Sequence, residues 1–239
     1  MDVVTGFDPA VHGFHFRNRF SGSDVIDELV EQHRLDELAG IDLPTHLENL
    51  VGRIRDASFW GAFGLCGGMS WASLDRYLKD EPPPIQTSGP ARDTALFNEL
   101  VARQADSMQR GQMITTCLRY QIVPEVAPGW WPSRRSLGRI TEIDEWPKVK
   151  ASLDSGRPAP ICLVRVRGMS NPDRHHQVLT TGYHLNRANV LTINVYDPNH
   201  PDARPEIALQ LGTRRHDLNL TQTTREPLYG FFTTNYRPA

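Results

Sequence analysis

The sequence contains few cysteines and almost no lysines. Of its 239 residues three are cysteine, at positions 66, 117 and 162. This small and odd set excludes a disulfide framework, and its spacing lacks the paired cysteines of a zinc site. Lysine occurs only at positions 79, 148 and 150, so nearly all basic residues are arginine. A codon bias of the genome would explain that imbalance as well as a functional need would.

Long apolar runs and a strong net charge are also missing. No stretch approaches the roughly 20 apolar residues of a membrane-spanning helix, and residues 1–8 lack the basic start and apolar run of a signal peptide. The formal net charge is −2, which gives no overall attraction to nucleic acid or membrane. We therefore expect a reduced, cytoplasmic protein that binds neither nucleic acid nor membrane.

The two parts of the chain differ in their patterns. Residues 1–156 mainly show helical periodicity, whereas residues 157–239 mainly show apolar strands separated by turns. Helices followed by strands, instead of alternating βα units, predict an α+β fold with an antiparallel sheet. We expect a single domain, 1–239, whose helical N-terminal half packs on a sheet formed by the C-terminal half.

The helical part opens with an aromatic segment. Residues 14–20 alternate in the manner of a short strand or an extended arm packed on a core. Helices are predicted at residues 21–38, 44–55, 66–79, 92–110, 113–120 and 143–153. Four prolines within residues 81–90 predict an extended loop, and residues 124–136 are predicted to be irregular.

The C-terminal part shows a regular succession of strands and turns. Strands are predicted at residues 160–166, 177–183, 190–196, 206–209 and 228–234. Turn signals at 171–173, 186–187 and 197–199 separate them. If the second and third of these strands pair as neighbours, the start of one lies beside the end of the other.

Cys66 stands between glycines at the start of a predicted helix, and these glycines would let a substrate backbone come close. There the cysteine would meet unpaired backbone N–H groups and the positive end of the helix dipole, which both stabilise the thiolate, the nucleophilic form. For a lone cysteine the competing interpretation, a small buried thiol, is the favoured one. The other two, Cys117 and Cys162, lie in apolar helix and strand contexts that predict core positions.

A nucleophilic cysteine needs a base, and the base needs an orienting group. His175 and His176 open a predicted strand, and Asp197 follows the next predicted strand. With these strands paired, His176 would take the proton of Cys66, and Asp197 would hold the second imidazole nitrogen. The combination of the three residues favours a reactive centre over a buried thiol.

This order and these local sequences resemble the papain-like cysteine peptidase superfamily, most closely its bacterial C39-like branch. The resemblance is carried by Cys66 in Leu-Cys-Gly-Gly, His176 in His-Gln-Val-Leu and Asp197 in Val-Tyr-Asp-Pro-Asn. It implies a papain-like fold and a thiol peptidase or amidase whose nucleophile, general base and orienting carboxylate act through a thioester intermediate. Peptides, proteins or small amides would be its substrates. The same triad would also serve an acyltransferase or a deamidase, and no cofactor is expected.

One feature of such families is missing. They usually place an oxyanion-hole Gln a few residues before the cysteine, but residues 56–65 contain neither Gln nor Asn. Asn18, in the aromatic segment, is the candidate for this donor, and a turn or edge residue is its alternative interpretation. The missing Gln also leaves open a protein that keeps the fold and binds a peptide or another protein without catalysis.

A metal site is a rival interpretation of the same region. Its possible ligands are His175, His176, His184, Asp197 and His200. They do not show the His-x-x-x-His spacing of two ligands on one helical face, and adjacent residues of a strand point to opposite faces. We therefore predict no metal site, and the sequence leaves the oligomeric state open.

Overall fold

The computed structural model describes residues 1–32, 34, 64–109, 112–123, 135–168, 174–212 and 220–239. Several predicted features lie outside the described residues. They are the end of the helix at 21–38, the helix at 44–55, most of the irregular segment 124–136 and the turn at 171–173.

The N-terminal part is helical, as predicted. The helices are α1 Pro9–His12, α2 Gly22–Glu31, α3 Cys66–Leu78, α4 Ala95–Ser107, α5 Gln112–Ile122, α6 Leu137–Ile140 and α7 Trp146–Asp154, and a π-helical turn, Thr141–Glu145, joins α6 to α7. The helical segment predicted at 143–153 begins earlier because the Ser136 side chain accepts a hydrogen bond from the N–H of Arg139 and caps α6. No helix in the described part of the chain has both the length and the apolar surface to cross a membrane.

The strands form one antiparallel sheet. They are β1 Asp2–Val4, β2 Ala159–Val164, β3 His176–Leu185, β4 Val190–Tyr196, β5 Glu206–Gln210, β6 Thr221–Gln222 and β7 Gly230–Thr233. The order is β6-β5-β4-β3-β2-β7, and β1 pairs with β3 beyond the start of β2. Six strands come from the C-terminal half, so the predicted α+β class is confirmed. Neither β1 nor β6 was predicted, because two or three residues are too few to show a period.

The sheet is covered on both faces. Alternate residues of β2 point to opposite sides: Cys162 packs with α3, α4 and α5, whereas Ile161 packs with α7. Cys117 lies on the α5 side with Cys162, which confirms the core positions predicted for both. Helices α3, α4 and α5 therefore lie on one face of the sheet, with α3 against β3, and α7 covers the other face.

The aromatic segment forms an irregular arm, residues 13–20, and contains no strand. Phe14 and Phe16 are buried in the core on the α3 side. The N–H of Asn18 donates to the carbonyl of Pro198, 2.9 Å away. This aromatic arm therefore lies along the loop that follows β4.

Candidate active site

Two of the predicted site residues meet at one end of the sheet. β3 and β4 are antiparallel neighbours with Leu179 opposite Tyr196. The start of β3 and the end of β4 therefore lie side by side, as the sequence predicted. His176 begins β3, Asp197 follows β4, and His176 Nε2 lies 2.5 Å from Asp197 Oδ1. The carboxylate thus fixes one nitrogen of the imidazole.

Cys66 completes the cluster from the helical side. It is the first residue of α3, and its Sγ accepts a hydrogen bond of 3.4 Å from the backbone N–H of Gln177. His176 lies close enough to Cys66 that each side chain shifts the pKa of the other. Because Asp197 occupies Nε2, Nδ1 is the imidazole nitrogen left for the thiol. The structure therefore brings Cys66, His176 and Asp197 together.

Two glycines after Cys66 allow α3 to approach its neighbours closely. A Cβ at Gly67 would lie 2.2 Å from Ser107 Oγ, and one at Gly68 would lie 2.1 Å from the Leu100 carbonyl oxygen. Both neighbours belong to α4. These glycines therefore make room for a helix of the same chain, where the sequence pattern alone had indicated close approach of a substrate backbone.

The environment shifts the pKa values of the thiol and the imidazole in opposite directions. Burial raises the pKa of Cys66, but the neighbouring His176 and the N–H groups of Gln177 and Gly67 bring it below its ordinary value. Burial lowers the pKa of His176, but Asp197 and Cys66 together raise it to about 9. Both side chains are only 4% exposed. These directions favour a thiolate–imidazolium pair at neutral pH.

Asp197 is held in its charged form by several groups. Burial raises its pKa, but His176, Arg165 and the N–H of Asn199 lower it below the ordinary value. The guanidinium of Arg165 lies 3.7 Å from Asp197 Oδ2 and 2.7 Å from Glu226 Oε2. Sequence reasoning missed Arg165, although an arginine that directly follows an apolar strand was a signal that could have found it.

Asn18 lies beside the start of α3. Its Oδ1 accepts a hydrogen bond of 2.7 Å from the N–H of Leu65, and its Nδ2 donates to Asn199 Oδ1 at 3.1 Å. The side chain thus links the residue before Cys66 to the loop after Asp197. Its oxygen, not its nitrogen, faces the backbone of α3, so its role as an oxyanion donor stays a prediction.

The residues of the rival metal site are spread over the sheet. His184 lies at the far end of β3, where it pairs with Asp2. His175 Nδ1 accepts a hydrogen bond from the N–H of Arg165. A different set, Asp197, His200 and Glu226, has ligand atoms within 4.8 Å of one another. Because the Arg165 guanidinium contacts both carboxylates of that set, a cation there would meet a positive charge already in place.

His175 makes the stability of the protein sensitive to acid. Burial, together with the nearby Arg165 charge, lowers its pKa from 6.5 to about 4. Below pH 6.5 the unfolded chain binds a proton that the folded chain does not, so the free energy of unfolding falls as the pH falls. Between about pH 6.5 and pH 4 this histidine should cost roughly 3 kcal/mol.

The acid sensitivity is checked by urea unfolding at several pH values between 7 and 4. The variant His175→Asn offers an oxygen near the position of Nδ1 and does not titrate, so its stability should fall less steeply with acid. His184→Asn is the matched control, because His184 is exposed on β3, the strand that begins just after His175. Identical slopes for the wild type and His175→Asn would contradict this prediction.

Comparisons of this chain with models of known protein families, with curated proteins and with solved structures find no match. No relative therefore assigns roles to Cys66, His176 or Asp197. Their roles have to be inferred from their distances, burial and charge alone.

Proposed function

We propose that this chain is a cysteine-dependent hydrolase of the papain-like type, a peptidase or amidase with Cys66 as nucleophile. The observation that carries the proposal is the position of His176, which hydrogen-bonds Asp197 and lies close enough to Cys66 to lower the pKa of the thiol. A base held between a nucleophile and an orienting carboxylate is the arrangement that thiol hydrolysis needs. The helical half packed on an antiparallel sheet supports the same proposal.

The proposed reaction has two stages. The Cys66 thiolate attacks the acyl carbonyl, and the backbone N–H of Cys66, at the start of α3, stabilises the oxyanion. The C–N bond breaks, His176 gives its proton to the leaving amine, and the acyl group stays on Cys66 as a thioester. A water then gives a proton to His176 and attacks the thioester, which releases the acid and the thiolate. Asp197 keeps a proton on Nε2 throughout.

Acyl transfer and deamidation would use the same first stage. In acyl transfer an amine replaces the water, and in deamidation the leaving amine is ammonia from a glutamine side chain. A second candidate, a binding module without catalysis, is favoured by one observation. Both polar atoms of the Asn18 amide already have partners, namely Leu65 and Asn199.

Alkylation by iodoacetamide tests whether Cys66 is activated. We expect Cys66 to react about 100-fold faster near pH 7 than Cys117 or Cys162, because its pKa is lowered. Burial and the neighbouring Cys117 raise the pKa of Cys162 well above its ordinary value. All three cysteines are buried, so the comparison is matched for exposure. The rates are read by mass spectrometry of the three cysteine peptides, and equal rates would favour the binding module.

Formation of the thioester tests catalysis directly. A peptide 4-nitrophenyl ester should release a burst of nitrophenol and leave the acyl mass on Cys66, and Cys66→Ala should show neither. Rapid alkylation of Cys66 without acylation by any of a set of such esters would exclude the hydrolase in favour of the binding module.

A further inference from the structure

A basic pocket of about 300 Å³ is lined by three segments of the chain. The aromatic arm contributes His15, Arg17 and Arg19, and the proline-rich loop at 81–90 contributes Thr87. The loop that follows β4 contributes Asp202. We call this cavity the basic pocket, because it holds two arginines and a histidine against one carboxylate. Its volume lies at the lower end of the range for small-ligand sites.

Two segments that line the basic pocket, the aromatic arm and the loop that follows β4, also adjoin the proposed triad. Asn18, between the two arginines of the pocket, accepts a hydrogen bond from Leu65, the residue before Cys66. The N–H of Asn18 donates to Pro198, the residue after Asp197. Consecutive residues are about 3.8 Å apart along the chain. The backbone of Arg17 and Arg19 is therefore only a few residue lengths from Cys66, a span that a short peptide substrate can cover.

The two arginines of the basic pocket carry positive charges that are available to bind an anion. Within the part of the chain that the structure describes, neither Arg17 nor Arg19 forms an ion pair, and both are exposed. Other surface arginines do pair: Arg204 binds Asp8, and Arg92 binds Asp27. The planar guanidinium matches the two oxygens of a carboxylate and can bind it through two hydrogen bonds. The single carboxylate of Asp202 leaves the pocket with a positive excess.

We propose that the basic pocket binds a carboxylate of the substrate, so that the active site prefers peptides or amides with an acidic residue near the bond that is cleaved. This inference rests on the proposed function and names its substrate class. Arg17 and Arg19 are the residues that determine the preference. The hydroxyl of Thr87 supplies a further polar group in the same cavity.

Two alkylating peptides that differ by one charge test this inference. Iodoacetyl-Gly-Glu-amide and iodoacetyl-Gly-Gln-amide carry the same electrophile and nearly the same shape. At low salt the wild type should alkylate Cys66 about fivefold faster with the Glu peptide, the effect expected for one carboxylate between exposed arginines. The preference should vanish in the double variant Arg17→Gln/Arg19→Gln and in the wild type at about 1 M salt.

The matched control is Arg187→Gln, an equal change of charge in the turn between β3 and β4, at the end of β3 away from His176. Arg187→Gln should keep the fivefold preference for the Glu peptide. Loss of the preference in this variant would overturn the inference, because it would show a general effect of net charge. The salt titration of the wild type measures the same charge dependence without any variant, so the inference stays testable if the double variant fails to fold.

The outcomes separate the two proposals. Equal rates for the Glu and Gln peptides, both faster at Cys66 than at Cys117, would overturn the proposed role of the basic pocket. The proposed hydrolase function would be unaffected. Slow alkylation of Cys66 by both peptides and by iodoacetamide would overturn the hydrolase itself. A phosphoserine peptide that reacts much faster than the Glu peptide would overturn the proposal that the pocket binds a carboxylate, and would indicate that it binds a phosphate.

Discussion

Replacing His176 with Gln is expected to slow the alkylation of Cys66 by roughly 100-fold at pH 6.5. In the proposed thiolate–imidazolium pair, the charge of His176 offsets the cost of a buried thiolate. Without it, burial raises the pKa of the thiol, and only the N–H groups of Gln177 and Gly67 remain to lower it. A thiol with an ordinary pKa of about 8.5 is only about 1% ionised at pH 6.5.

The measurement is the rate of iodoacetamide alkylation as a function of pH. A lowered thiol pKa keeps the wild-type rate high at neutral pH and lets it fall only in acid. In His176→Gln the rate should rise at a higher pH, and the two profiles should converge in alkali. His184→Gln is the matched control, because His184 lies at the far end of the same strand and pairs with Asp2. Identical profiles for His176→Gln and the wild type would remove His176 from the site.

The three central residues of the site were predictable because local elements place each of them. A helix start positions Cys66, a strand start positions His176, and a strand end positions Asp197. One further assumption was needed, namely that consecutive strands pair as antiparallel neighbours, and most consecutive strands do so. The α+β class followed from the same order of helices and strands.

The surroundings of the site were not predictable, because they depend on contacts between distant residues. Arg165 meets Glu226 61 residues further along the chain, and Asn18 meets Leu65 across 47 residues. β1 pairs with β3 near the far end of that strand, so residue 2 lies opposite residue 184. No local pattern encodes such pairs, since each side chain has many polar partners of suitable chemistry along the chain.

The sequence pattern around Cys66 correctly predicted that a helix begins there, but it assigned the wrong role to the glycines. Glycine after a cysteine suggests access for a substrate, yet the space beside Gly67 and Gly68 is filled by α4. Close packing therefore fixes the first turn of α3, and the first turn carries the nucleophile of the proposed reaction. A site built on rigid elements holds its groups more accurately than one built on loops.

Replacing Gly68 with Ala is accordingly expected to destabilise the protein by about 3 kcal/mol or more. The added Cβ would lie 2.1 Å from the carbonyl oxygen of Leu100 and 3.0 Å from the backbone nitrogen of Gln104. Both are backbone atoms of α4, so no side chain can rotate away to relieve the clash. Helix propensity alone predicts the opposite sign, since Ala in a helix interior is about 1 kcal/mol more stable than Gly.

Urea unfolding of the two proteins measures the difference, and Gly89→Ala is the matched control. A Cβ at Gly89 would have its nearest neighbour at 3.6 Å, an ordinary contact, so that variant should change stability by less than about 0.5 kcal/mol. If Gly68→Ala instead gained stability, α3 could not lie as close to α4 as the structure places it. Because Gln177 of β3 lies against the same turn of α3, beside Gly67 and Cys66, that result would also undermine the position of Cys66 beside His176.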